Sequence, residues 1–210
     1  MQTITLPAEN PESISTALSL FRDGDIVAFP TDTVYGLGAD PFQASGIIKL
    51  FEAKGRDSNK AIAILVGSVE QALMVTDHMT EMATRLCEAF WPGGLTVIVP
   101  RKNTLPELIS NTDRIGIRMP NHPVALEMLR TFGPLATTSA NLSGKPDAVS
   151  AKDVFDQLGN RIPLILDGGK CPGGVPSTVI DCSGVEPIVL RQGPITSEQI
   201  FKVLETQKAS

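Results

Sequence analysis

The stretch DIVAFPTDTVYGLG, Asp25 to Gly38, joins a short apolar run to a group of hydroxyls and then to two glycines. Its apolar part predicts a buried strand, and its polar part predicts a turn where this strand ends. One interpretation of the polar part is turn chemistry alone, in which Asp32 caps backbone amides and the glycines adopt positive φ. Thr31 and Thr33 are β-branched and a turn does not require them, so the second interpretation is a ligand site.

Helical and strand patterns alternate along the rest of the chain. Apolar residues at helical spacing predict helices over residues 11–24, 42–55, 80–94, 122–133, 151–159 and 196–207. Short apolar runs predict strands over residues 25–30, 61–66, 95–100, 114–120, 134–138, 163–167, 177–182 and 187–193. Because the last strands follow each other without a helix, we expect a mixed sheet. The predicted fold class is α+β with α/β character, as one three-layer domain over residues 1–210.

The composition is that of an ordinary globular protein, with 42% hydrophobic and 20% charged residues. No apolar run approaches the roughly 20 residues that cross a bilayer, and the N-terminal residues lack the regions of a signal peptide, so we expect a cytoplasmic location. The net charge of −5 argues against a dedicated nucleic-acid coat, although it is compatible with a local basic groove. Three cysteines without zinc-site spacing are expected to be reduced, and no metal site is predicted.

Basic residues gather at the end of the helix predicted over residues 42–55. Lys54 and Arg56 flank Gly55, which is expected to end this helix, and Lys60 follows. Cations near a helix C-terminus gain about 0.3–1 kcal/mol from the helix dipole, which explains them without a ligand. The alternative is a phosphate clamp, in which arginine contributes a planar fork and lysine a mobile point charge.

Polar residues follow other predicted strands, where sheets of this class commonly open their ligand crevices. Ser139 and Asn141 come after the strand over residues 134–138, and either a turn or a ligand contact explains them. Ser177 lies where a glycine-rich loop enters a strand, with a turn hydroxyl as the alternative. Val149 is either the wall of a site for an aromatic ring or an ordinary core residue.

Arg118 and Arg191 each lie near the C-terminal end of a predicted strand. A solvent-exposed face is the ordinary place for an arginine. The apolar neighbours of Arg118, Ile117 and Met119, favour burial instead, and a buried charge needs a partner.

Several common catalytic motifs are absent from the sequence. It contains no P-loop, no dinucleotide-binding glycine motif and no nucleophile elbow, and its two histidines offer no evident base for a nucleophile. An enzyme without these groups is expected to work by positioning and charge stabilisation, which suits reactions at phosphorus.

Six segments in sequence order resemble the motifs of YrdC-domain proteins, a family that includes threonylcarbamoyl-AMP synthases. They are FPTDTVYGLGADP (residues 29–41), LFEAKGR (50–56), IGIRMPNHP (115–123), TTSANLSG (137–144), VPSTVID (175–181) and VLRQG (189–193). Each motif is weak alone, but the ordered set is specific and spans Asp25 to Gly193. The resemblance implies a twisted mixed sheet flanked by helices around a basic cavity. The motif-bearing core is expected over residues 10–194 and a C-terminal helix over residues 196–207.

The resemblance also implies a reaction. L-threonine and bicarbonate would form a carbamate that attacks the α-phosphate of ATP, giving threonylcarbamoyl-AMP and pyrophosphate, so the chain is expected to be a nucleotidyltransferase. ATP is expected to bring Mg²⁺, and no prosthetic group is expected. A separate transferase complex would then move the threonylcarbamoyl group onto adenosine 37 of tRNA. Weak RNA binding by the chain itself is a further expectation, and no membrane partner is expected.

The resemblance assigns roles to the residues at matching positions. Contacts to L-threonine are expected from Thr31, Thr33, Tyr35, Arg118, Ser139 and Ser177. Contacts to ATP are expected from Lys54, Arg56, Lys60, Asn141, Val149 and Arg191. Lys54 and Arg56 are the expected catalytic residues, because they would stabilise charge that develops on the phosphates.

Two positions depart from the family pattern. Asp57 replaces a proline that often follows the K-x-R motif, and it adds a negative charge beside the proposed clamp. Leu65 stands where some longer members have a histidine, so one polar contact to threonine is lost or supplied elsewhere. The extra C-terminal domain of those longer members is not expected in this chain.

Two other functions stay open. One is a non-catalytic RNA-binding module, which the net charge of −5 and the 5% content of aromatic residues disfavour. The other is a carbamoyl-transfer domain of the hydrogenase-maturation type, which would use carbamoyl phosphate and ATP. The sequence lacks the acylphosphatase and zinc-finger segments attached to such domains, which disfavours this alternative.

Overall fold

Ten strands form one mixed sheet within residues 2–205, the part of the chain that this computed structural model describes. The strands are β1 (Ile4–Pro7), β2 (Val27–Phe29), β3 (Gly36–Ala39), β4 (Ala63–Leu65), β5 (Leu95–Pro100), β6 (Arg114–Arg118), β7 (Leu135–Ser139), β8 (Leu164–Asp167), β9 (Thr178–Asp181) and β10 (Ile188–Arg191). The α-helices in the same residues are α1 (Pro11–Arg22), α2 (Ala44–Lys54), α3 (Val69–Val75), α4 (Glu81–Phe90), α5 (Pro123–Phe132), α6 (Ala151–Leu158) and α7 (Ser197–Glu205), and a short 3-10 helix covers Glu107–Ile109.

The strands lie side by side in the order β1-β8-β2-β3-β7-β4-β6-β5-β9-β10. In the described chain, four neighbouring pairs run parallel, namely β1 with β8, β2 with β8, β4 with β6 and β5 with β9. The remaining neighbours run antiparallel. The mixed sheet predicted from the sequence is therefore confirmed.

The core has two parts because side chains along a strand alternate between the two faces of the sheet. In β2, Val27 and Phe29 pack with residues of α1 and α5 on one face. Ala28 packs with residues of α2, α4 and α6 on the other face. Helices on both faces of a central sheet give the three layers that the alternating patterns predict.

The glycines of the opening stretch belong to β3 and not to a turn. Gly36 and Gly38 pair with β2, and neither is among the described residues with positive φ. A Cβ on Gly38 would lie 2.7 Å from Cε1 of Phe29, and a Cβ on Gly36 would lie 2.9 Å from Cγ2 of Thr137. The turn interpretation is wrong at these two positions, because glycine here makes room for neighbouring side chains.

The predicted helices and strands are all present, and several are shorter than predicted. Gly55 ends α2 in the left-handed conformation with φ of 58°, as expected of a C-cap glycine. The patterns do not predict β1, β3 or α3, because none of them lies in an apolar run or helical period as long as those of the predicted elements. The predicted C-terminal helix begins at Ser197, and its last predicted residues, 206 and 207, lie outside the described residues.

Gly38→Ala is expected to lower the free energy of unfolding by about 1–3 kcal/mol, because the added methyl meets the ring of Phe29 inside the sheet. Gly184→Ala is the matched control, since its Cβ would have only the carbonyl oxygen of Glu186 nearby, at 3.9 Å. Urea unfolding followed by circular dichroism measures both changes. Equal midpoints for the two variants would contradict the packing argument.

Candidate active site

One cavity of about 280 Å³ collects side chains from segments that are far apart in the sequence. This volume is close to the lower end of the range for small-molecule sites, about 300 Å³. Eight of the twelve predicted site residues line the cavity, namely Thr31, Thr33, Tyr35, Arg56, Arg118, Ser139, Ser177 and Arg191. The polar clusters predicted at separate strand ends therefore meet in a single place.

The sheet positions these residues by ending or beginning strands at the cavity. Arg118 is the last residue of β6, Ser139 the last residue of β7, and Arg191 the last residue of β10. Ser177 immediately precedes β9, and Arg56 follows the glycine that ends α2. Since each residue sits where regular backbone starts or stops, its side chain is held by the sheet and still reaches the cavity.

Arg118 is an almost fully buried guanidinium, 6% exposed. Its Nε donates to the carbonyl oxygen of Gly93 at 2.9 Å, its Nη1 donates to Oγ1 of Thr33 at 2.8 Å, and its Nη2 pairs with the carboxylate of Asp32. Burial lowers the pKa of Arg118, and the charge of Asp32 opposes this shift. The exposed-face interpretation of Arg118 is therefore wrong, and the burial favoured by its apolar neighbours is observed.

Of the two threonine hydroxyls of the opening stretch, Thr31 is fully used within the protein and Thr33 can offer a ligand an acceptor only. Thr31 Oγ1 donates to the carbonyl oxygen of Val34 at 2.7 Å, so Thr33 must be the donor in the 3.1 Å contact between the two hydroxyls. Thr31 Oγ1 also accepts from the backbone N–H of Thr33, which completes its capacity. Thr33 accepts from Arg118 and keeps one free lone pair. Thr31 thus supports Thr33, and Thr33 is the hydroxyl that can contact a ligand.

Ser177 ties Arg191 to the cavity wall. The Nε of Arg191 donates to the carbonyl oxygen of Ser177 at 3.0 Å, and its Nη2 donates to the Ser177 hydroxyl at 3.2 Å. The same hydroxyl lies 2.8 Å from Oγ1 of Thr96. Arg191 is an exposed residue, as its ordinary interpretation predicts, and partial burial of its guanidinium lowers its pKa against the opposing charge of Asp147. One edge of the guanidinium is anchored in this way, which leaves Nη1 for a ligand.

Arg56 is only partly bonded within the protein. Its Nη2 donates to the carbonyl oxygen of Ala61 at 3.0 Å, and its Nε is buried with no hydrogen-bond partner among residues 2–205. Burial lowers the pKa of Arg56, and the charge of Asp57 opposes this shift. A guanidinium with an unused buried donor in a cavity is suited to binding an anion.

Tyr35 lines the cavity, and its hydroxyl bonds to a neighbouring loop. The hydroxyl donates to the carbonyl oxygen of Gly169 at 2.8 Å and accepts from the backbone N–H of Gly168 at 3.2 Å. Burial raises the pKa of Tyr35 to about 12. Tyr35 therefore shapes the cavity without a free polar atom for a ligand.

Four predicted nucleotide ligands do not line the cavity, and their contacts to ATP stay predictions. Lys60 is exposed, and Val149 is half-buried. Lys54 and Asn141 are buried and are bonded to each other.

The Lys54 ammonium is held inside the protein, where the residue is 3% exposed. Its Nζ donates to the carbonyl oxygen of Ser139, to the carbonyl oxygen of Asn141 at 2.5 Å, and to Oδ1 of Asn141 at 3.2 Å. Burial, and after it the positive charge of Arg56, lowers the pKa of Lys54 from 10.5 to about 8, against the opposing charge of Asp147. The lysine predicted as a phosphate ligand is thus enclosed by oxygens of the protein itself.

Reasoning from the sequence missed one acid and three hydroxyls. Asp32 is the partner of Arg118, although the turn interpretation gave it only a capping role. Thr96, Thr137 and Thr138 line the cavity from within predicted strands. One sequence signal could have indicated these hydroxyls. Each belongs to a threonine among the apolar residues of a predicted buried strand, and a buried hydroxyl needs a hydrogen-bond partner.

Comparison with known proteins gives a consistent result. A family model for Sua5, YciO and YrdC proteins, described as telomere recombination, matches residues 19–193. A threonylcarbamoyl-AMP synthase from Bacillus subtilis is 42% identical over 198 residues, which cover 93% of this chain and 57% of that protein. A relative from Mycobacterium tuberculosis is 40% identical over 205 residues, which cover 97% of this chain and 94% of that protein.

The structure is also similar to one solved with an amino acid bound. Sua5 from Pyrococcus abyssi in complex with L-threonine matches with a TM-score of 0.93 and 39% sequence identity. The match covers 97% of this chain and 61% of that chain. The chain thus spans about three fifths of the length of the Bacillus and Pyrococcus proteins and nearly all of the Mycobacterium protein.

Asp32→Ala is expected to lower the free energy of unfolding by about 3 kcal/mol, because it leaves the buried charge of Arg118 without its counter-ion. Asp156→Ala is the matched control, since Asp156 forms an exposed ion pair with Lys152 and such pairs contribute little. Urea unfolding measures both changes. The argument fails if the two variants unfold at the same urea concentration.

The lowered pKa of Lys54 predicts a pH-dependent stability. Between pH 8 and 10.5 the unfolded chain holds the Lys54 proton and the folded chain releases it, so the free energy of unfolding should rise with pH. At about 1.4 kcal/mol per pKa unit, wild type should gain about 3 kcal/mol relative to Lys54→Met across this window. Below pH 8 the difference should be constant.

Urea unfolding at several pH values measures this difference. Lys145→Met, at an exposed lysine, reports how the rest of the protein responds to pH. A difference between wild type and Lys54→Met that is the same at pH 8 and pH 10.5 would show that the pKa of Lys54 is not lowered.

Proposed function

The chain belongs to the Sua5/YciO/YrdC family, and we propose that it is an L-threonylcarbamoyladenylate synthase. It would convert L-threonine, bicarbonate and ATP into threonylcarbamoyl-AMP and pyrophosphate, which makes it a nucleotidyltransferase. The observation that carries the proposal is a single cavity in which a buried guanidinium lies beside acceptor hydroxyls, together with two further guanidinium groups. The name of the Bacillus relative and the L-threonine bound to Pyrococcus Sua5 support it.

The donors and acceptors of the cavity suit the two charged ends of an amino acid. The threonine carboxylate would accept from those N–H groups of Arg118 that are not used by the protein. The free lone pairs of Thr33 and Ser139 would accept from the amine or the hydroxyl of threonine. The substrate would therefore be oriented because its carboxylate needs the donors of Arg118 and its N–H and O–H groups need the acceptors of Thr33 and Ser139.

An apolar wall completes the amino-acid side. Val34, Leu65 and Val179 line the same cavity, so Leu65 supplies apolar surface where a histidine would supply a polar group. A wall fitted to the threonine methyl would favour threonine over serine by about 1–3 kcal/mol.

On the nucleotide side of the cavity, the protein would stabilise the charge that develops during the reaction. A carbamate oxygen would form a bond to the α-phosphorus of ATP while the bond from that phosphorus to the β-phosphate oxygen breaks and pyrophosphate leaves. Negative charge that develops on the phosphate oxygens would be stabilised by Arg56 and Arg191. Both guanidinium groups stay cationic at neutral pH despite their lowered pKa, because arginine starts from a very high value.

Mg²⁺ would enter as part of the ATP substrate. Residues 2–205 contain no group of three or more His, Cys, Asp or Glu side chains that could hold a metal ion. The charge of Asp147 acts on both Lys54 and Arg191, although Asp147 does not line the cavity itself. Mg²⁺ commonly combines one or two carboxylates with substrate phosphates, and we expect that arrangement here without a prosthetic group.

The product would be consumed by another enzyme. Threonylcarbamoyl-AMP is an activated mixed anhydride, and we propose that a transferase complex moves its threonylcarbamoyl group onto adenosine 37 of tRNA. Within residues 2–205, no helix is both long enough and apolar enough to cross a bilayer. The cytoplasm, which holds tRNA and ATP, is the proposed location.

The two alternative functions predict other ligands. An RNA-binding module would present its cations on a surface that follows a phosphate backbone, whereas three arginines here line a cavity of about 280 Å³. A domain that uses carbamoyl phosphate would bind that anion and would not need L-threonine. Isothermal titration with L-threonine, carbamoyl phosphate and a short duplex RNA separates the three, and saturable binding of L-threonine alone supports the synthase.

Arg56→Ala is expected to reduce threonine-dependent pyrophosphate release by orders of magnitude while the protein stays folded, because a donor to the phosphates is lost. Arg22→Ala, at an exposed arginine of α1, is the matched control and should keep wild-type release. A coupled pyrophosphate assay measures the rate, and circular dichroism checks the fold. Wild-type release from Arg56→Ala would remove the role proposed for this residue.

A further inference from the structure

The hydroxyl groups that line the cavity differ in whether their proton already has an acceptor in the protein. Six of them donate to a protein oxygen, namely those of Thr31, Thr33, Tyr35, Thr137, Thr138 and Ser139. The other two belong to Thr96 and Ser177, whose Oγ1 and Oγ atoms lie 2.8 Å apart. One proton forms this contact, and neither hydroxyl has a second acceptor within residues 2–205, so one proton of the pair is available to a ligand.

This hydroxyl pair lies between two guanidinium groups. β5 and β6 are antiparallel neighbours, and their register places Thr96 beside Arg118 on the face of the sheet that lines the cavity. On the other side, the Ser177 hydroxyl accepts from Nη2 of Arg191 at 3.2 Å. Burial is the main cause of the lowered pKa of Arg118, and the positive charge of Arg191 lowers it further, against the charge of Asp32. A hydroxyl donor flanked by two cations is suited to binding an oxyanion.

The neighbouring strand fixes the direction of the Thr96 hydroxyl. A Cβ on Gly116 would lie 3.0 Å from Cγ2 of Thr96, so the threonine methyl occupies space that a side chain at position 116 would fill. Thr96 is 4% exposed, and a β-branched side chain has few χ1 rotamers. With its methyl placed over Gly116, Thr96 keeps Oγ1 at Ser177.

We propose, on the basis of the proposed function, that Thr96 is a positioning residue that directs the Ser177 proton at a carboxylate-type oxyanion of the substrate between Arg118 and Arg191. Thr96 donates to Ser177, which then accepts from two groups and has only its proton left for a ligand. Acceptance from the Arg191 guanidinium polarises the Ser177 hydroxyl and makes it the stronger donor of the pair.

Two substrates of the proposed reaction carry an oxyanion of this kind. One is the carboxylate of L-threonine, and the other is bicarbonate, which becomes the carboxylate of the carbamate. Both are planar groups with oxygens that accept from a hydroxyl and a guanidinium at once. The experiment therefore measures the two substrates separately.

The first measurement is isothermal titration of L-threonine, in buffer freed of bicarbonate, into wild type, Thr96→Val, Thr96→Ser, Ser177→Ala and the variant that combines Thr96→Val with Ser177→Ala. Valine keeps the methyl over Gly116 and lacks the hydroxyl, so Thr96→Val should weaken binding about 5-fold, the effect of losing one hydrogen bond. Thr96→Ser keeps the hydroxyl and should bind nearly as tightly as wild type. The combined variant should bind no more weakly than Ser177→Ala, because Thr96 acts through Ser177.

The second measurement is the KM for bicarbonate in threonine-dependent pyrophosphate release at saturating L-threonine and ATP. If the oxyanion is bicarbonate, Thr96→Val should raise this KM about 5-fold with little change in kcat, while threonine affinity stays that of wild type. A loss of threonine affinity identifies the threonine carboxylate instead. Thr76→Val is the matched control for both measurements, because Thr76 is a buried threonine outside the cavity whose hydroxyl donates to the carbonyls of His78 and Pro100.

Three results would overturn the inference. They are a Thr96→Val variant with wild-type values in both measurements, a Thr96→Ser variant as impaired as Thr96→Val, and additive losses in the combined variant. If Thr96→Val does not fold by circular dichroism, Thr96→Ala replaces it with the same expected losses. Failure of wild type to bind L-threonine would instead overturn the proposed function, so the two failures are distinguishable.

Discussion

Burial of the Arg118 guanidinium is the constraint on which the rest of the cavity depends. A charge enclosed to this degree needs partners, and they come from two loops, with Asp32 and Thr33 before β3 and Gly93 before β5. Because these contacts fix the orientation of the guanidinium, a ligand does not have to order it on binding. The ion pair that compensates this buried charge therefore also prepares the site.

The hydrogen-bond donors and acceptors that remain free in the cavity determine how a ligand can be oriented there. The hydroxyls of Thr33 and Ser139 already donate to protein atoms, so they can only accept a hydrogen bond from a ligand. The guanidinium groups can only donate. A ligand with separated donor and acceptor groups is accordingly bound in one orientation. Thr31 and Lys54 support this arrangement through hydrogen bonds to other protein groups.

Much of the fold and of the site could be predicted because both depend on local chemistry. Helical spacing, apolar runs and the C-cap Gly55 specify elements within a few residues. The pairing of Asp32 with Arg118 could not be predicted from the sequence, since 86 residues separate the two and they come together only in the folded sheet. The direction of Lys54 was equally hidden, because the K-x-R spacing indicates two cations and does not say which one points inward.

The spread of the cavity along the chain has a consequence for how the protein becomes active. Its walls include Thr31, before β3, and Arg191, at the end of β10, and among the strands of residues 2–205 this edge strand pairs only with β9. During synthesis the early strands can collapse well before this last strand leaves the ribosome, since non-local pairing is slow to form. A nascent chain from which β10 has not yet emerged, or a chain cleaved before Arg191, would thus lack one wall of its binding site.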